Sequence, residues 1–258
     1  MSKTLDTAAA RAGWAGPAAA RALSAGGEGR VAVPLCDGAY VELRGGWLLL
    51  APPRSPLGPL TLLVDGLPRE RLAAGEQVLA GARSLEIGAL RIDLTGLRRL
   101  ESEPLIGPRA AGAGDALRAA LACRPRPHAE LEEGLALLAH GHRAAAVARL
   151  AGRGPGLTPA GDDVLAGYAA WWHADGAPTA LAGAAATRTT ALSLAYLRCA
   201  ERGELPDVAA RVLGAVRAGD RAAAERAARS LDRWGATSGS ALLWGIAAGF
   251  ADAERGEA

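Results

Sequence analysis

Tyr40-Val41-Glu42-Leu43-Arg44-Gly45-Gly46-Trp47-Leu48-Leu49-Leu50 decides how the first part of the chain is read, because two short apolar runs meet there at a Gly-Gly pair. Glycine tolerates the positive φ that tight hairpin turns need, so the pair predicts two antiparallel strands. The pattern recurs outward: Val31–Leu35, Leu60–Asp65, Ser84–Ile87 and Leu90–Leu94 are short apolar runs cut by Gly and Pro, with Asp37-Gly38 and Asp65-Gly66 as further turn dipeptides. The spacing predicts an antiparallel sheet or small barrel. Ahead of it, the alanine-rich leader Thr7–Leu23 reads as helical, against Gly13, Gly16 and Pro17.

After Pro104 strand signals stop and helix formers dominate in blocks: Ala113–Ala122, His128–Ala139, His142–Leu150, Pro159–His173, Ala184–Arg202, Pro206–Arg217, Arg221–Arg233 and Ser238–Ala253. The expected fold class is therefore α+β, with a mainly β domain over 1–104 and an all-α helical domain over 105–258.

Composition narrows the function classes. At 258 residues the chain holds one large domain or two small ones, with length enough for a buried core. Sixty-three alanines and 28 arginines against one lysine are spread evenly, which reads as codon bias and not as a binding feature. The net charge of +2 comes from interspersed cations and anions, whereas a nucleic-acid face needs clustered cations. Cys36, Cys123 and Cys199 stand alone, with no CxxC pair, so neither a zinc site nor a disulfide framework is indicated. His128, His140, His142 and His173 form no HExxH pattern, and no GxSxG elbow or Walker loop is present. Apolar runs fall short of the roughly 20 residues a bilayer requires. Met1–Gly16 lacks a leucine-rich export core, so a cytoplasmic location is expected, without nucleic-acid or membrane partners. Trp171-Trp172 must place one ring outward or at an interface, which suggests an oligomer contact.

Three loop-to-helix junctions in the second half carry more than packing requires. The first is Gly152-Arg-Gly154-Pro-Gly156-Leu-Thr158-Pro-Ala-Gly-Asp162-Asp163. Thr158 suits the N-cap and Pro159 the first helical position; Gly154 and Gly156 allow close backbone approach to a ligand, and a helix start favours an anion. Asp162 and Asp163 point about 100° apart, so at most one faces a given ligand directly; beside an anion they need a partner, and without one they only complement the helix dipole. The second junction, Thr187-Arg188-Thr189-Thr190-Ala-Leu-Ser193, sets Thr189 and Ser193 on one face, with Arg188 as a possible clamp for a carboxylate or phosphate. In the third, Gly235-Ala-Thr237-Ser238-Gly239-Ser240, Thr237 or Ser238 can cap a helix and Gly235 ends the preceding one in a left-handed conformation. The working expectation is that all three helix starts converge on one pocket.

In this order, the three motifs resemble the AllH family, named for a subunit of bacterial oxamate carbamoyltransferase in allantoin breakdown. The resemblance implies carbamoyl transfer between carbamoyl phosphate, or a related small anion, and a small carboxylated amide, by a transferase that works in complex with companion subunits or as a homo-oligomer. Under it, Gly154, Gly156 and Thr158 bind the anion, while Thr237 and Ser238 polarise the carbonyl. Asp162 or Asp163 orients the acceptor amide or binds a cation, and Arg188, Thr189, Thr190, Ser193, Gly235 and Gly239 line the substrate site. No cofactor is implied. Two alternatives stand beside it: a non-catalytic ligand-binding or scaffolding subunit, and a Mg²⁺-dependent phosphate-ester enzyme using Asp162 and Asp163.

Overall fold

Alternation of apolar and polar residues shapes the first half. In the computed structural model, which describes residues 10–68, 72–101, 105–235 and 237–256, the chain divides into two units, Met1–Glu101 and Ser102–Ala258. The first unit contains β1 (Ala10–Ala15), α1 (Pro17–Ala25), β2 (Gly27–Pro34), β3 (Ala39–Leu43), β4 (Gly46–Ala51), β5 (Thr61–Asp65), β6 (Gln77–Ala80), β7 (Ser84–Ile87), β8 (Leu90–Asp93) and β9 (Arg98–Arg99). The strands run in the order β5-β4-β3-β2-β6-β7-β8-β1, and β1 pairs back to β5, so eight strands close a barrel; β9 continues along the edge of β1. Closure leaves no long unpaired edge. Ala39, Val41 and Leu43 of β3, Leu48 and Leu50 of β4, and Leu85 and Ile87 of β7 point inward and are buried.

The expected α+β class and its β-then-α order are present. Two local expectations are corrected, and one strand is added to those expected. The leader is not one helix: Thr7–Ala9 lie outside the described residues, Ala10–Ala15 form a strand, and the helix starts only at Pro17. Pro17 suits a first helical turn, where its missing N–H costs nothing, while extended Gly16 donates its N–H to the Thr61 carbonyl. Pairing with β5 and β8 on either side, and small Ala10, Ala12 and Ala15 inside, override the helical preference of alanine. Neighbouring strands are not all antiparallel either: β4 and β5 run parallel, Leu50 opposite Leu62. The proline-rich link 52–60, with turns at both ends, returns the chain to the start of its neighbour. Finally, β6 carried no clear apolar run, since only Val78 and Ala80 face inward while Leu79 is exposed.

The second unit is helical: α2 (Ala113–Ala122), α3 (Glu132–Ala139), α4 (Arg143–Leu150), α5 (Ala160–Ala174), α6 (Leu181–Ala185), α7 (Ala191–Ala200), α8 (Asp207–Arg217), α9 (Arg221–Ser230) and α10 (Ser238–Gly256). The block expected over Ala184–Arg202 breaks at 186–190, because Thr190 adopts an extended cap conformation and accepts a hydrogen bond from the Ser193 N–H, starting α7 afresh. Helix α5 is buried almost all round, so it forms the centre of the unit. It meets α10 backbone to backbone. A Cβ on Gly167 would overlap the Leu242 carbonyl, and one on Gly245 the Val164 carbonyl. The contacts Gly167 to Leu242 and Gly249 to Trp171 run in the same direction along both helices, so α5 and α10 are parallel and their N-termini share one end. Trp171 is buried, while half-buried Trp172 lies under the Arg143 guanidinium, 4.7 Å from its ring centre.

Candidate functional site

The common end of α5 and α10 collects the polar residues of all three junctions. Gly152, Gly154 and Gly156 have φ of 73°, 96° and 107°, a left-handed conformation that other residues rarely adopt. These turns fold the loop back onto the start of α5. Gly152 donates its N–H to Asp162 Oδ1 at 2.9 Å, and a Cβ there would overlap the Arg188 carbonyl. Thr189 donates its hydroxyl to Asp162 Oδ2. Asp162 therefore ties the first junction to the second with both oxygens, and Thr190 in turn caps α7.

Asp163 faces the other way. Ser238 and Thr158 both hydrogen-bond to its carboxyl, and their own hydroxyl oxygens are 3.4 Å apart, which joins the first junction to the third. Its Oδ2 is buried and has no partner among the described residues. Burial, opposed by the Ser238 hydrogen bond and reinforced by the negative charge of Asp162, pushes the Asp163 carboxyl up to about 8. At neutral pH Asp163 is thus a neutral acid, able to donate as well as accept. Ser193, 1% exposed on α7, likewise has a hydroxyl without a partner among the described residues. Two orphaned buried oxygens near converging helix starts are costly to leave unsatisfied.

One expectation about these residues is corrected. Thr158 is not the N-cap of α5: Pro159 occupies that position, with φ −50° and ψ 138° and without side-chain capping. The Thr158 hydroxyl is engaged with Ser238 and Asp163 instead. The first amides of α5 are also occupied, Gly161 N–H by the Arg153 carbonyl and Asp162 N–H by the Pro159 carbonyl.

The remaining motif residues sort by position. Gly235 is left-handed at φ 74°, and half-buried Thr237 accepts the Ala241 N–H on its carbonyl as α10 begins. Gly239 is buried against the 3-10 turn Leu231–Arg233, where a Cβ would crowd the Leu231 side chain and carbonyl, so packing alone requires the glycine. Gly154 sits half-buried against Ala160, whereas Gly156, Arg188 and Thr190 are exposed at the rim.

Arg124, just beyond α2, escaped the sequence reading. Its side chain is 4% exposed; Nε and Nη2 donate to Ser240 Oγ at 3.0 and 2.7 Å, and Nη1 pairs with Asp232. A buried cation thereby holds the first turn of α10, two residues beyond Ser238. A link across 116 positions leaves no local pattern; with 28 arginines in the chain, composition hides it further.

The groups left for a ligand are the free oxygen of the neutral Asp163 carboxyl and the Ser193 hydroxyl, at the starts of α5 and α7, with Thr158 and Ser238 already bonded to Asp163. Such groups suit an uncharged polar carbonyl or amide, and the positive helix ends suit a neighbouring negative charge. Among the described residues, no three His, Cys, Asp or Glu side chains cluster as metal ligands, and no helix is long and apolar enough to cross a membrane.

Residues 150–250 match the family model AllH, described as oxamate carbamoyltransferase subunit AllH. The match takes in all three junctions and the whole of α5, and 101 of the 258 residues in all. No curated protein and no solved structure matches the chain.

Proposed function

We propose that this chain is a subunit of a cytoplasmic carbamoyltransferase complex, and that the shared end of α5, α7 and α10 binds the carbamoyl donor beside a small carboxylated amide acceptor. The family match supports the class of activity. The observation that carries the site is Asp163, a buried and protonated carboxyl hydrogen-bonded to Thr158 and Ser238, with one oxygen still free. In the transfer the acceptor nitrogen attacks the carbamoyl carbon, phosphate leaves with the C–O electron pair, and the nitrogen's proton passes to the departing phosphate. Charge develops on the carbamoyl oxygen, where the Asp163 O–H donates, held in place by Ser238 and Thr158; a preorganised donor of this kind lowers the barrier by about 3 kcal/mol. Asp162 acts as the clamp that sets this geometry, through Gly152 and Thr189. The helix ends offset the phosphate charge, which a neutral Asp163 does not repel.

Thermal unfolding of the chain with carbamoyl phosphate, inorganic phosphate and oxamate tests the reading. Carbamoyl phosphate at a hundredfold excess over Kd stabilises by about 2.7 kcal/mol, and Asp163→Asn abolishes that shift while the fold remains. No stabilisation by any of the three, with or without companion subunits, overturns it.

A further inference from the structure

The barrel unit holds a cavity of about 460 Å³, within the range of small-molecule sites, and its described lining includes none of residues 150–250. Its walls come from the C-terminal end of α1, the turn between β6 and β7, and the segment between β8 and β9. Leu23, Leu94 and Leu97 give it an apolar floor, and Gly96, at φ 79°, keeps one wall free of side chain. Among the described lining residues Arg99 carries the only charge. Exposed Arg99 donates its Nη2 to Ser24 Oγ, also in the lining, at 3.2 Å, and no carboxylate pairs with it among the described residues. The negative end of α1 is blunted, because the Gly26 N–H already caps the Ala22 and Leu23 carbonyls.

We propose that this cavity binds a small monocarboxylate with an apolar tail, the carboxylate taking the free edge of the Arg99 guanidinium and the tail lying against Leu23, Leu94 and Leu97. One guanidinium matches one carboxylate bidentately. A phosphate dianion would leave half its charge uncompensated by Arg99, the one cation among the described lining residues. An amine would meet Arg99 as a like charge.

Isotope-edited NMR titration of the full chain with hexanoate, 1-hexanol and hexylamine tests this. Hexanoate is expected to bind at least about tenfold more tightly than the other two, with shifts confined to the α1 end, the β6–β7 turn and the β8–β9 segment, and Arg99→Gln is expected to raise its Kd about tenfold. Ala82→Trp, at an exposed wall position, should block binding and leave the melting temperature within a few degrees. Equal binding of hexanoate and hexanol, hexanoate binding unchanged in Arg99→Gln, or no binding at all overturns the assignment.

Discussion

The two units bury different things. Among the described residues, the barrel buries one polar side chain, Thr61, whereas the helical unit buries Asp162, Asp163, Ser193, Glu204, Arg217 and Ser240. Buried polarity costs stability unless paired, so a fold that only had to exist would resemble the barrel. Four of the six sit at the starts of α5, α7 and α10, and two of those four keep an oxygen without a partner. The contrast separates interior that shapes the protein from interior held ready for a ligand. Within α5 itself the same division repeats: Gly167 fixes its middle against α10, and two acids occupy its first turn.

The sharpest way to break that comparison is to attack the glycine crossing. Gly167→Ala forces a Cβ into the Leu242 carbonyl and is expected to cost at least about 3 kcal/mol, abolishing the cooperative transition of the helical unit in calorimetry. In the barrel, Gly27→Ala meets no atom within 4 Å and costs only its positive φ, about 1 kcal/mol. Equal losses would remove the contrast. Next, Asp162→Ala strands the Gly152 N–H and the Thr189 hydroxyl, for an expected loss of about 3 kcal/mol by urea denaturation, together with loss of activity. A neutral result would mean that the clamp does not exist.

Asp163→Asn is expected to act with the opposite sign on stability. The folded carboxyl titrates near 8 and an unfolded one near 4, so the native state binds the extra proton in between. Stability from this group is complete below about pH 4, falls as pH rises, and levels off above about 8. Removing the group should therefore raise the melting temperature by on the order of 5 °C near pH 8.5 and flatten its pH dependence, while turnover is lost. Ser193→Ala gives the smallest effect. Its hydroxyl has no partner to lose, so melting should change by no more than about 1 kcal/mol while ligand affinity falls.

Sequence made the helix starts legible, since Gly, Thr, Pro and Ser punctuate them locally, and the barrel hairpins for the same reason. It could not say which aspartate is free, because that depends on Gly152 and Thr189 reaching Asp162 first. Nor could it reveal β1, an alanine-rich segment made a strand by partners some 50 and 80 residues away, or Arg124, whose target lies on the last helix.

Difference infrared spectroscopy of wild type against Asp163→Asn, titrated between about pH 6 and pH 10, reads the state of this carboxyl directly. A protonated carbonyl band should be present at neutral pH, fade with a midpoint near 8, and shift when carbamoyl phosphate is added. A carboxylate band already at pH 6, unmoved by that ligand, would contradict the account.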